Sequence, residues 1–240
     1  LQSVDSSTPL LSKGQNLAGL ALGDLVDVTW LKQGGERTRD NLVILERGGS
    51  LLVYDPQQGI ELLPVANADI WLKPQAIGGY EGNLYVLDPL LGRILKYVPA
   101  DNAYTAPPSD YLDPNRYVDL TGAVDMAIDG NVYVLYADGH VDKFYLGERQ
   151  SFDISGLPTP MKSPSVIVVS GEQSPEADGY VYIADTGNER VVQLTKSGQY
   201  VRQFRDKQGE YHLRNLQGLY VDEPTGRMFL VANEALWLAR

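Results

Sequence analysis

A five-residue apolar segment returns five times along this chain of 240 residues. It reads NLVIL from Asn41, NLYVL from Asn83, NVYVL from Asn131, YVYIA from Tyr180 and RMFLV from Arg227. Successive starts lie 42, 48, 49 and 47 residues apart. A fixed period of this size means that one supersecondary unit is repeated, each copy burying its apolar surface against its neighbours. That restricts the chain to circular or solenoidal arrays before any single residue is weighed.

The punctuation around the segment defines the unit. Glu81-Gly82, Asp129-Gly130, Asp178-Gly179 and Thr225-Gly226 precede four of the copies, and Asp40-Asn41 opens the first. Such pairs favour tight hairpin turns, because Gly reaches positive φ without steric cost. An apolar run lies before each turn, at 25–31, 75–79, 123–128, 165–169 and 218–221. A third run follows, as SLLVY from Ser50, RILKY from Arg93, HVDKF from His140, RVVQL from Arg190 and ALWLA from Ala235. A more polar fourth stretch completes most copies, for example GIELL from Gly59 and QYVRQF from Gln199. Short runs rich in Val, Ile, Leu and Tyr between Gly, Pro and Asp are strands, and the 14 prolines leave no long 3.6-residue period. Four short strands per unit, repeated around an axis, make a β-propeller. The second strand is apolar throughout, as expected when both sheet faces are covered.

The pattern predicts an all-β, single-domain propeller over residues 1–240. Five four-stranded blades is the simplest count, and six is the alternative. The last copy stops after its third strand, which would leave an open sheet edge. The segment 1–22 precedes the first inner strand and is expected to supply the closing strand of the last blade, with residues 23–240 forming the blades. The run NLAGLAL at 16–22 is one candidate part of it.

The fourth copy carries a more specific signature. Tyr182-Ile183-Ala184 runs into Asp185-Thr186-Gly187-Asn188-Glu189-Arg190-Val191, and Lys196-Ser197-Gly198 follows. YIADTGNERV resembles the core of the NHL repeat. The resemblance covers residues 165–204. Copy two keeps the Asp and Arg in LDPLLGRIL, whereas copies one and three depart from the motif. It implies a propeller, in a family that includes sensor-like domains of bacterial membrane proteins, protein-interaction modules, RNA-binding domains and lyases. On the residues alone, Asp185 can accept turn amides, Arg190 can pair with it across the hairpin, and Gly187 and Asn188 tolerate left-handed φ. A calcium loop using Asp185, Asn188 and Glu189 is the competing reading, but it lacks a full ligand set.

Composition narrows the partners. Lys and Arg total 20 against 31 Asp and Glu, a net charge of −11. That balance opposes nucleic acid and anionic lipid and suits solubility or cationic partners. With no cysteine, there are no disulfides, thiol nucleophiles or Cys-ligated zinc. The linker-like start at 3–9 leads to the expectation of an extracytoplasmic domain with a membrane tether upstream, and no apolar run has transmembrane length.

Catalytic constellations are scarce. The two histidines are His140, opening a third strand, and His212, in the segment before the last inner strand. Second-to-third turns and outer-to-inner connections emerge at one end of the blades. That end is the expected binding face, with Arg47, Trp71, Lys73, Arg93, His140, Arg190, His212 and Arg214 as candidates. Trp71 reads equally as a hot-spot aromatic and as a plug between blades. The Tyr- and Pro-rich insert 99–117 reads as a recognition lip or as a surface connection covering a blade edge. The expectation is a non-catalytic module that binds a protein, peptide or glycan as the sensory or interaction part of a larger bacterial protein, with no catalytic residues, cofactor or metal assigned. The alternative is a lactonase- or lyase-type enzyme with a metal in the central funnel.

Overall fold

A computed structural model describes residues 2–3, 11, 13–17, 19–55, 57–171, 178–207, 212–232 and 235–239. Strand β1 (Gln2–Ser3) comes first, followed by a hairpin of β2 (Asn16–Leu17) and β3 (Leu20–Ala21). Five four-stranded antiparallel sheets account for the remaining strands. Blade 1 is β4 (Leu25–Leu31), β5 (Asn41–Glu46), β6 (Leu51–Asp55) and β7 (Gly59–Leu62). Blade 2 is β8 (Ala76–Tyr80), β9 (Asn83–Asp88), β10 (Arg93–Tyr97) and β11 (Ser109–Asp110). Blade 3 is β12 (Ala123–Ile128), β13 (Asn131–Tyr136), β14 (Val141–Tyr145) and β15 (Glu148–Gln150). Blade 4 is β16 (Pro164–Val169), β17 (Tyr180–Asp185), β18 (Arg190–Thr195) and β19 (Tyr200–Arg205). Blade 5 is β20 (Leu216–Asp222), β21 (Arg227–Ala232) and β22 (Ala235–Ala239), with β1 as its fourth strand. This is a five-bladed β-propeller, and five blades rather than six is the count. By mutual contact, Leu1–Ser7 with Gly122–Arg240 form one unit and Thr8–Thr121 the other.

The last blade is completed as expected, by Gln2 opposite Leu238 and Ser3 opposite Trp237. The polar start of the chain does this. The apolar run at 16–22 instead folds into the β2–β3 hairpin. Its Leu17, Leu20 and Leu22 lie on Ile44, Leu52 and Ile60 of blade 1.

In the unit of residues 8–121, Leu31, Val43, Leu45 and Leu51 of blade 1 pack on Ile77, Leu84, Val86 and Leu95 of blade 2. In the other unit, β17 shows why its sequence is apolar without alternation. Val181 and Ile183 face Tyr133 and Leu135 of blade 3, whereas Tyr182 and Ala184 face Leu219 and Leu230 of blade 5. Successive residues point to opposite faces, and both faces are core.

Turn chemistry follows the glycines. Gly82 has φ 78°, and a Cβ there would lie 2.1 Å from the Gly34 carbonyl oxygen. The insert 99–117 behaves as a blade-edge connection. Tyr104 is fully buried and donates to the Gly82 carbonyl at 2.6 Å. Ser109 and Asp110 add the outer strand, and Tyr111 sets its ring edge-on to Tyr85 at 5.5 Å. Tyr117 remains 90% exposed.

Two aspartates tie inner strands together. Register breaks at Leu25/Asp27 and Ala123/Asp125 place Asp27 opposite Leu45 and Asp125 opposite Leu135. Asp27 accepts from the backbone of Val28 and, in the next blade, from Ile77, both at 2.7 Å. Asp125 repeats the arrangement with Met126 at 2.8 Å and Ile167 at 2.7 Å. Burial outweighs these bonds at Asp27 and raises its pKa to about 6.

The folded protein therefore holds the Asp27 proton more tightly than the unfolded chain, whose value is about 4. Stability attributable to Asp27 is highest below pH ~4 and falls as pH rises through about 6. The stability of the parent relative to Asp27→Asn is expected to drop by up to about 3 kcal/mol between pH 4 and pH 7, in urea unfolding at each pH. A pH-independent difference would contradict this.

Candidate functional site

The second strand of each blade ends at its sixth residue. Those residues are Glu46, Asp88, Tyr136, Asp185 and Ala232. Three are carboxylates, all buried, and each gathers donors from the incoming connection and from the turn that follows. Glu46 accepts from Gly23, in the segment entering blade 1, and from Gly48 in the following turn, both at 2.8 Å. Asp88 accepts from Leu72 at 2.7 Å and Lys73 at 2.9 Å in the incoming connection, and from Leu91 at 2.9 Å in the turn. Asp185 accepts from Lys162 at 2.7 Å in the incoming connection. Its other oxygen accepts from Asn188 Nδ2 at 2.8 Å and Arg190 Nε at 2.6 Å. A buried carboxylate is costly unless its lone pairs are filled, and these are filled by the loops they organise.

The DTGNER turn is thus a structural clasp. Arg190 is 1% exposed, opposite Asp185 in the ladder, and also donates to Gln203 at 2.9 Å and to the Thr159 carbonyl at 2.7 Å. The left-handed residue is Glu189, at φ 52°, and not Gly187 or Asn188. Gly187 is needed for close approach instead. Its amide donates to the Lys162 carbonyl at 2.8 Å, and a Cβ there would lie 2.4 Å from that oxygen.

In the unit of residues 8–121, the clasps present several exposed side chains. Arg47 follows Glu46 and is exposed. Leu72 is 59% exposed and Leu90 is 67% exposed, with Lys73 exposed beside Leu72. Trp71, one residue earlier, is in the core. It donates from Nε1 to the Tyr97 hydroxyl at 2.9 Å, with the rings edge-to-face at 6.0 Å. Arg93 pairs with Asp110 of the outer strand. Leu72 and Leu90 were not legible as surface residues, because an isolated leucine looks like core. The recurring acid at the sixth strand position is a signal that aligning the copies would have found.

In the other unit, His140 is the last residue of the β13–β14 turn, and the strand begins at Val141. Its ring stacks on Tyr136 at 3.9 Å and Nδ1 lies 2.6 Å from Asp138 Oδ1. His212 has Nδ1 at 3.1 Å from Asp206 Oδ1, and its ring lies 4.1 Å from that of Trp237. Arg214 pairs with Glu189 at 2.7 Å, which joins the connection into blade 5 to the DTGNER turn. His140 and His212 each have their own carboxylate partner. Among the described residues, no three His, Asp or Glu side chains gather as a metal site would require. No described helix is long and apolar enough to cross a membrane.

No protein-family model and no curated protein sequence matches the chain. Solved structures share its fold. A streptogramin B lyase superposes with a TM-score of 0.58 at 12% identity, over 93% of this chain and 70% of that one. A gluconolactonase from Xanthomonas campestris gives 0.57 at 16% identity, over 82% and 67%. An auxiliary nutrient-binding protein from Bacteroides ovatus gives 0.61 at 12% identity, over 92% and 60%. The class is a β-propeller whose architecture serves both enzymes and binding proteins, and at these identities the likeness is one of fold.

Replacing Arg190 with Ala strands the Asp185 charge in the interior and is expected to cost about 3–5 kcal/mol in denaturant unfolding. Arg214→Ala, at the exposed pair with Glu189, should cost less than about 1 kcal/mol. Equal losses would refute the clasp.

Proposed function

We propose that this propeller is a non-catalytic binding module, the interaction part of a larger protein, that recognises a protein, peptide or glycan through the loops at the C-terminal ends of its second strands. The observation that carries this reading is the Asp88 clasp. One buried carboxylate fixes the backbones of Leu72, Lys73 and Leu91, so Leu72 and Leu90 stand in solvent on loops already ordered. Ordered loops lose little entropy on binding, and exposed apolar side chains on them have an evident use in contact. Lys73 is exposed next to Leu72, and Arg47 is exposed in the blade 1 clasp, which favours a ligand with apolar and acidic features. The NHL-like motif at Asp185–Arg190 supports an interaction role, as does the nutrient-binding fold neighbour.

A lactonase or lyase is the second reading, favoured by the fold neighbours and by one geometric fact. Asp206 holds His212 through Nδ1, the arrangement that orients an imidazole as a general base. The donor set on the described residues does not fit a metal in the central funnel.

Peptide and glycan arrays probed with the full chain are expected to give ligands whose affinity falls at least tenfold for Leu72→Asp/Leu90→Asp, with unchanged melting temperature. Retention of every ligand by that variant would remove the proposed face. Turnover of gluconolactone or a streptogramin by the parent, lost in His212→Ala, would establish the enzyme instead.

A further inference from the structure

The outer edge of blade 4 differs from that of every other blade. Its strand β19 runs for six residues, whereas β7 has four, β15 three, and β11 and β1 two each. It pairs with β18 on one side and stands last in its sheet. Shortness is one way to blunt a sheet edge, because a long edge offers a row of amides and carbonyls to another strand. β19 lacks that protection.

The chain itself begins to fill this edge and then leaves it. Ser155 bridges Gln199 in parallel, accepting from the Tyr200 amide at 2.9 Å and donating to the Gly198 carbonyl at 3.1 Å. Pro158 and Pro160 follow, and the Thr159 carbonyl between them accepts from Arg190 instead. Past Tyr200, β19 has no second strand beside it among the described residues.

The edge also carries a charge opposite to that of the chain as a whole, which is −11. Arg202 and Arg205 are exposed, β19 holds no acidic residue, and exposed Lys207 follows it. Arg202 donates from Nε to Gln193 Oε1 at 2.6 Å and lies 5.0 Å over the Phe204 ring. Arg205 donates from Nη1 to the Asn188 carbonyl at 2.8 Å. These partners are neutral, so they hold the guanidiniums in place without cancelling their charge. The other outer strands are acidic, balanced or uncharged: Glu61 in β7, Asp110 in β11, Glu148 with Arg149 in β15, and Gln2–Ser3 in β1. Two copies joined edge to edge at β19 would set arginines against arginines, which disfavours a second copy as the partner.

We infer that β19 is a second interaction surface, one that takes an acidic extended peptide segment as a fifth strand of blade 4. Main-chain bonds to residues 201–205 supply the pairing, and Arg202 and Arg205 select for carboxylates on the incoming strand. The surface is separate from the loops assigned to ligand recognition.

The test uses the full chain and a fluorescein-labelled octapeptide of alternating Glu and Thr. Fluorescence anisotropy should show saturable binding, weakened by about tenfold or more in Arg202→Glu/Arg205→Glu. A peptide of the same charge, N-methylated at every second amide, cannot pair as a strand and should not bind. In the parent protein, hydrogen exchange at amides 201–205 should slow when the unmodified peptide is bound, a readout that needs no variant to fold. Absence of binding, equal binding of the N-methylated peptide, or unchanged exchange at 201–205 overturns the proposal.

Discussion

A buried carboxylate at the end of the second strand is the constraint on which the loops of blades 1, 2 and 4 depend. Sheets by themselves fix strands and leave the connections between them loose. Glu46, Asp88 and Asp185 convert two loops per blade into one hydrogen-bonded body. The energetic logic is conditional. Each carboxylate is out of water, so it stabilises only while every oxygen is served. Blades 3 and 5 lack the acid. Tyr136 takes its place in blade 3 and donates to Asp142 at 3.1 Å, and Asp142 in turn accepts from Arg149 at 2.7 Å. Ala232 takes the place in blade 5 and brings no side-chain partner of its own. The blades are therefore alike in strand register and unlike in how firmly their loops are held.

Much of the architecture was legible because strand and turn signals are local. The five recurring apolar segments, the blade count, the closing strand and the Asp185–Arg190 pair all follow from residues close in sequence or from edge satisfaction. Within the segment 1–22 the closing strand is the polar Gln2–Ser3 and not the apolar run at 16–22, because a strand at a sheet edge needs only backbone groups. The outer strand of blade 2 was hidden for a similar reason, since Ser109 and Asp110 form two pairs with no apolar signature.

The surroundings of the candidate site residues were poorly legible in the sequence. Trp71 read equally as anchor or plug, and its indole is spent on Tyr97 inside the core. Arg190 read both as a partner of Asp185 and as a binding-face cation, and it is enclosed with Asp185. Leu72 and Leu90, which residue type alone does not single out, stand in solvent. In each case the deciding partner lies in another strand or another loop, and a side chain's type does not encode that distance. Trp71 and Tyr97 are 26 positions apart, and Leu72 and Asp88 are 16.

Closure by β1 has a consequence for how the molecule is made. Gln2 pairs with Leu238, 236 positions later, so β1 must wait for a partner strand made much later. Until then β22 offers a bare edge, the kind that invites a strand from another molecule. Blades 1 to 4 can assemble from neighbouring segments while the chain grows, and the final latch forms only once β22 has been made. Topology of this kind is slow to complete, because a long loop must be closed before its contacts repay the lost entropy. A newly made copy therefore passes through an interval in which a foreign strand can occupy the berth meant for its own beginning.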